Sequence, residues 1–360
     1  MRPDGYITDP DHPGLAALCR QLAESVPPPD DTRAWPGRQL QACADHGVIA
    51  WFVPRSWGGQ EWCETDIVRG YLQLSAACLT TTFILTQLAG ACRRIAVAEQ
   101  SVWPARLLPE LVAGRRFATV GISHLSTSRR HLARPVLRAE QTPGGFRLDG
   151  FSPWVTGAPH AEVIVIGATL ADSRQILVGV PTDAAGVQVA PPQTLVGLSA
   201  SQTGEVRLQG VQAAQEWLLA GPTENVMQQG SGAGTGGLQT STLALGLAHA
   251  ALEFLEQEGG ARPELADPWR EMQAEHQGLC NDLLDLAQGR DVCTTDNLRV
   301  RANSLVLRAT QAALAAAKGA GYAAGHPAGR WCREALFFLV WSCPQAVVSA
   351  NLCELAGISD

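Results

Sequence analysis

Apolar residues recur along this chain at two different periods, and the change of period divides it into three. In the first part Leu15, Leu18 and Leu22 stand three and four residues apart, as do Leu40, Ala44 and Val48, and each set predicts a helix with one buried face. Ile67 to Ala98 is a longer apolar-periodic stretch that predicts two helices. The intervening FVPRSWGGQEW (52–62) breaks the pattern, and Pro54 with Gly58–Gly59 predicts a loop. WPARLLPELVAGRRF (103–117) closes this part, with Pro109 at a predicted helix start and Gly114 at its stop. From 118 to 222 the pattern shortens to runs rich in Val and Ile, EVIVIGA (162–168), QILVGV (175–180) and GEVRLQG (204–210), bounded by Gly, Pro and Asp. GFRLDG (145–150) alternates apolar and polar residues as a half-buried strand does. Several short strands at close spacing predict a small antiparallel barrel or sandwich. After about 223 helical spacing returns over Leu238–Glu258, Trp269–Gln288 and Asn297–Lys318, then a GAGY turn (319–322) and a last helical region to Leu355. This order predicts an α+β, mostly helical protein with an N-terminal helical domain (1–117), a central β barrel or sandwich (118–222) and a C-terminal helical bundle (223–360).

Composition narrows the function classes. The 360 residues carry a net charge of −7, with only 27 Lys and Arg, so the basic footprint of a nucleic-acid binder is missing. Arg129, Arg130, Arg134 and Arg138 form a local exception that suits phosphates or, more plainly, a solvated edge. The ten cysteines are scattered without a C-x-x-C pair, which points to small core residues in a reducing compartment and to no metal site. The start has no apolar signal core, and the longest apolar run, Ala335 to Ala350, is interrupted by Ser342, Pro344 and Gln345. The expectation is a cytoplasmic protein that does not span a membrane. GSGAGTGG (230–237) has neither the preceding strand nor the Lys of a phosphate-binding loop, and reads as the lead into a helix.

Five collinear segments resemble the acyl-CoA dehydrogenase family over residues 14 to 356. HGVIAWFVPRSWGGQEW (46–62) is similar to the family's helix end, VP step and GG turn. LLPELVAGRRFATVGIS (107–123) resembles its helix-to-sheet junction. GFSPWVTGAPHAEVIVIGA (150–168) keeps Gly150, Trp154, Thr156 and Ala161 of the family's "G-x-K-x-W-I-T-N-G-x-x-A-D". GLSASQT (197–203) resembles "G-x-R-x-S-x-T", with Ser199 where Arg is usual. GAGYAAGHPAGRWCRE (319–334) keeps Gly319, Gly321, Tyr322, Pro327, Arg330 and Arg333 of "G-x-G-Y-x-x-x-x-P-x-x-R-x-x-R-D". The resemblance implies a C-terminal four-helix bundle, FAD as cofactor, an acyl-CoA or acyl-carrier-protein thioester as substrate, a possible electron-transfer partner, and a homodimer or homotetramer.

It also implies roles for individual residues. Trp154 would lie against the flavin ring and Thr156 would hydrogen-bond near its reactive nitrogen, an aromatic wall and a donor that suit hydride acceptance. On its own, Trp154 reads equally as an ordinary buried strand residue. Ile122 and Ser123 fall where a family strand meets the ring; beyond them the family's "E-P-G-A-G-S-D" is replaced by HLSTSRR (124–130). An ungapped match from Gly246 through Ala248 and Leu252 brings Arg262 onto the position that reaches a neighbouring subunit's FAD pyrophosphate. A helix-terminal surface Arg is the plainer alternative. Gly319 would lie close to a partner's FAD. His249 and His276 fall on helices, at core or surface positions.

The catalytic residue is unknown. Dehydrogenation of an acyl thioester needs a base for the α proton, and the family's usual "Y-E-G-T-S-Q" matches LVWSCPQAV (339–347), which puts Trp341 at the Tyr and Ser342 at the Glu. The family's second location for the acid falls at Gly236 and Gly237. Glu253, Glu256 and Glu334 are near in sequence, but at neither position. Three readings follow: an acyl-thioester dehydrogenase with a relocated base, a flavin-dependent monooxygenase that has no need of that Glu, and a non-catalytic member kept as partner subunit.

Overall fold

The computed structural model describes residues 5–126, 135–228 and 237–358. The first helices are α1 (Pro13–Glu24), α2 (Gly37–Asp45), α3 (Glu64–Ala77), α4 (Leu79–Ala96) and α5 (Trp103–Val112). The apolar spacing of α1 becomes its buried face, with Leu15, Leu18 and Leu22 sealed in the core. The start of α5 differs from the sequence expectation: Pro104, not Pro109, stands in its first turn. Trp103, Leu107, Leu108 and Leu111 are all buried, and covering Trp103 as well draws the helix start forward past Pro109.

The strands are β1 (Ala118–Gly121), then after the one-turn helix α6 (Ser123–Ser126), β2 (Leu137–Thr142), β3 (Gly145–Val155), β4 (Val163–Thr169), β5 (Gln175–Pro181), β6 (Val187–Val189), β7 (Gly204–Ala214) and β8 (Leu218–Thr223). They form one eight-stranded sheet in the order β6-β7-β3-β2-β4-β5-β8, with β1 added in parallel to β4. Alternate residues of β4 feed two cores. Val163 and Val165 join the large core shared with the helices, while Ile164 and Ile166 join a second core with Leu148, Val178, Val206 and Leu208. The second core draws on β2, β3, β4, β5 and β7, so one face of the sheet wraps around its own side chains as in a barrel. This double burial explains why EVIVIGA is a continuous apolar run and not an alternating one.

The last helices are α7 (Leu238–Gly259), α8 (Ala266–Ala287), α9 (Thr295–Gly321), α10 (Pro327–Ala335) and α11 (Gln345–Leu355). The break expected at the GAGY turn falls one residue earlier: Lys318 has φ 53°, and Gly319–Gly321 keep helical form beyond it. The close approach of α7 to α3 rests on Gly246, where an added Cβ would stand 1.9 Å from Ser75 Oγ and 2.6 Å from the Leu72 carbonyl. All ten cysteines are free, and Cys43, Cys78 and Cys92 are buried. Among the described residues no helix is long and apolar enough to cross a membrane, and no three metal-ligating side chains cluster.

Candidate active site

One cavity of about 650 Å³ opens where α4, the sheet and the end of α10 meet. Its volume suits a small-molecule or cofactor site. Helix α4 presents Phe83, Thr86, Gln87, Gly90 and Arg94, which the three-four spacing places on one face. The β1–α6 junction gives Val120, Ile122 and Ser123. The 195–198 loop and Thr203 form a third side, and Arg333, Phe337, Val340, Trp341 and Ser342 a fourth.

Trp154 reaches this space because of a bulge. Ser152 pairs with Val206 and Val155 with Gly204, so β3 carries one residue more than β7 over that step. Pro153 has no N–H to give to the ladder, which suits it to a bulge. Val155 is sealed in the core, while Trp154 turns outward, 44% exposed, and lines the cavity. It is therefore no ordinary buried strand residue. Thr156 is buried, and its hydroxyl is 2.9 Å from that of Thr203, which is 2.8 Å from that of Ser201. Either oxygen of each pair can donate, so the three form a hydroxyl chain ending at the cavity wall.

The 195–203 segment is held in an uncommon shape. Leu198 and Gln202 take left-handed backbone angles, φ 63° and 49°. Ser199 supports it: its hydroxyl accepts from the Leu195 N–H at 2.8 Å and donates to the Leu195 carbonyl at 3.0 Å. At this position Ser closes a loop locally and sends no charge toward the cavity.

Ser342 also lines the cavity, with φ 51°. Its carbonyl accepts from Arg299 Nη1 at 2.5 Å, and its hydroxyl has no hydrogen-bond partner among the described residues. Arg299 is 2% exposed and also donates to the Gly237 carbonyl and the Thr240 hydroxyl, both at 3.3 Å. It thus ties the start of α7 to the turn that carries Ser342, and its desolvation lowers its affinity for a proton. Trp341 stacks on Phe337 at 5.1 Å, and Phe83 meets both rings edge-on at 4.8 and 5.1 Å.

No Asp, Glu or His lines the cavity among the described residues, whereas three arginines do: Arg93, Arg94 and Arg333. Glu334 is buried but lies off the lining, 3.6 Å from Arg330 Nε; burial pushes its carboxyl up to about 7 against the pull of Arg330 and Arg333. Glu253 faces His249 at 3.5 Å, away from the cavity. His276 is buried, bonded at 3.0 Å to the Leu245 carbonyl, and held below the usual imidazole range chiefly by that burial.

Of the residues singled out in the sequence, Ile122, Ser123, Trp154, Thr156 and Ser342 converge on the cavity. Arg262 and Gly319 do not. Arg262 pairs with Glu258 at 2.5 Å just beyond α7, and Gly319 is exposed with open space where a Cβ would stand. Arg129, Arg130, Arg134, the altered 127–130 stretch and most of GSGAGTGG, Gly236 included, lie outside the described residues; Arg138 is exposed on β2. The arginines of α4 were legible as two adjacent cations inside an otherwise apolar helical stretch, a placement charged residues seldom take without a use.

No family model matches the chain. It is 24% identical over 283 residues to a benzylmalonyl-CoA dehydrogenase of Aromatoleum aromaticum, a match covering 74% of this chain and 70% of that protein. It is 21% identical over 280 residues to the probable acyl-CoA dehydrogenase YngJ of Bacillus subtilis, covering 76% and 73%. A glutaryl-coenzyme A dehydrogenase solved in complex with glutaryl-CoA superposes with a TM-score of 0.79 at 17% identity, over 96% of this chain and 95% of that one. Collinear sequence similarity over three quarters of the chain makes this protein similar to acyl-CoA dehydrogenases, and the superposition over nearly all of it gives it their fold.

Proposed function

We propose that this chain binds FAD in the cavity between α4, β3 and the α10–α11 turn and acts as an oxidoreductase on an acyl thioester of CoA or of an acyl carrier protein. The observation that carries this reading is the convergence of Trp154, Thr156, Ile122 and Ser123 on one cavity of about 650 Å³. Their chemistry fits the cofactor: an aromatic ring with one open side, a hydroxyl fixed by its neighbours, and apolar walls. Bound there, FAD supplies a two-electron acceptor. Trp154 flanks it, Thr156 offers a hydroxyl oriented through Thr203 and Ser201, and Phe83, Phe337 and Trp341 keep water from the acyl chain.

For α,β-dehydrogenation the proton would have to leave to a base that is not a carboxylate of the described lining. Ser342 does not serve, because among the described residues nothing in hydrogen-bond reach of its hydroxyl takes up a proton. The same observation favours a second reading, oxygen-dependent hydroxylation with flavin reduced by a separate partner, which asks for no such base. The cavity suits either. Arg262 and Gly319, both away from the cavity of their own chain, are assigned to the cofactor of a neighbouring subunit in a homodimer or homotetramer.

The two readings separate on purified protein loaded with FAD. Bleaching of the flavin band when acyl-CoA or acyl-carrier-protein thioesters are added without oxygen supports dehydrogenation. Substrate-dependent oxygen uptake with an added reductase supports hydroxylation. A colourless protein that takes up no FAD sinks both.

A further inference from the structure

Arg94 is the cation of this cavity that lacks an acid. It stands one turn beyond Gly90 on α4, and its Nη1 donates to the Gly90 carbonyl at 2.9 Å. A Cβ on Gly90 would lie 3.5 Å from that nitrogen and 3.5 Å from Val120. Both are ordinary contact distances, so the guanidinium lies against the backbone of Gly90 on the side of α4 that faces β1. Its neighbours differ from it. Arg93 meets Glu64 at 3.6 Å, and Arg333 meets Asp30 at 3.4 Å. Among the described residues Arg94 has no ion pair. The internal stretches 127–134 and 229–236 contain no Asp or Glu in their sequence either.

Such a placement is costly without a ligand. Arg94 shares its cavity with apolar side chains such as Val120 and Ile122, and the nearest charge on its own helix is the like charge of Arg93. Desolvation first, and Arg93 second, pull the guanidinium down to about 10. An anion arriving in this space gains a forked, weakly hydrated donor that, beyond its bond to the Gly90 carbonyl, no acid of the described residues occupies.

We infer that the acyl part of the substrate carries a second, ionised carboxylate and that Arg94 holds it. This rests on the acyl-thioester reading above. It narrows the substrate to dicarboxylic acyl thioesters, and it makes Arg94 a specificity-determining residue in direct contact with substrate.

The test uses the FAD-loaded full chain and CoA thioesters matched in chain length, pentanoyl-CoA against glutaryl-CoA and butanoyl-CoA against succinyl-CoA. Matching cancels the contribution of the CoA phosphates. Dissociation constants are read anaerobically by calorimetry, and the flavin-to-protein ratio from the visible spectrum. In at least one pair the carboxylated member is expected to bind ten-fold tighter or better. Arg94→Gln is expected to remove that preference by weakening the carboxylated members ten-fold or more relative to their partners, and Arg94→Lys to retain part of it. Equal binding within both pairs of the wild type overturns the inference and needs no variant. So does a preference that survives in Arg94→Gln. A fall in flavin ratio in that variant with the preference intact assigns Arg94 to the cofactor's phosphates instead and overturns it too. Absence of binding by all four thioesters overturns the acyl-thioester reading along with this one, whereas binding without preference overturns this one alone.

Discussion

At the scale of single residues the sheet and the cavity ask opposite things of neighbouring side chains. Val155 is sealed and Trp154 beside it is 44% exposed, so truncating Trp154 removes little core. Trp154→Ala is expected to leave the thermal midpoint within a few degrees while lowering FAD retention on gel filtration about ten-fold, the loss of one aromatic contact of roughly 1 kcal/mol and its buried area. Undiminished retention would remove Trp154 from the cofactor wall. Glu334 gives a pH prediction. Its carboxyl is raised to about 7 by burial, against an ordinary value of 4.5. Below the ordinary value both folded and unfolded chains hold the proton. As the pH rises further, the unfolded chain releases it first and the folded chain keeps it until about 7, so this group's contribution to stability falls across that window, by on the order of 3 kcal/mol, and is flat above it. Glu334→Gln has no proton to release. The difference in unfolding free energy between wild type and variant is therefore expected to change between pH 5 and pH 8, in the variant's favour at the higher pH; a constant difference across that range would refute the burial argument.

At the scale of elements, periodicity made the helices and strands legible because each buries one face, or two in the case of β4. The places where it misled are those where a neighbour decides. Pro109 resembled a helix start, yet burial of Trp103 pulled the start forward, and the turn sought at the glycines after α9 falls at Lys318. The bulge that turns Trp154 outward depends on the pairing of β3 with β7, which no local pattern reports, although Pro153 is its trace in the sequence. Motif residues on β1 and β3 reach the cavity because those strands are fixed by long-range pairing. Arg94 and Arg299 belong to no motif, and their importance comes from what surrounds them. Gly246 joins the two kinds of information: it falls within a motif, and it is also the point where α7 touches α3. Gly246→Ala would place a methyl group against Ser75 and the Leu72 carbonyl. The expected cost is about 1–3 kcal/mol, read as a lower urea midpoint with unchanged slope. A midpoint equal to that of the wild type would show that the helices yield at this crossing.

At the scale of the whole molecule, α11 has an apolar side that, under the assembly proposed above, a second copy of the chain would cover. Only Val347 and Asn351 of this helix are buried, and its outer side exposes Leu352 and Leu355 at 61% and 64%, with Ile358 just beyond. Several large apolar side chains grouped at one end of a chain mark an association surface more often than a solvated one. The placement of Arg262 and Gly319 points the same way, since neither lines the cavity of its own chain. If subunits complete one another's cofactor sites, assembly and flavin binding are linked, and anything that separates subunits loosens the flavin by mass action. Light scattering of the FAD-loaded protein is expected to give at least twice the mass of one chain. The double variant Leu352→Glu, Leu355→Glu places two carboxylates where apolar contact is expected, and should shift the protein toward monomer and lower its flavin ratio in step, while far-ultraviolet dichroism stays unchanged because both positions are exposed within the single chain. A wild-type monomer that holds one flavin per chain would detach Arg262 and Gly319 from the cofactor. A variant that dissociates with its flavin ratio intact would keep the assembly and break its link to the site.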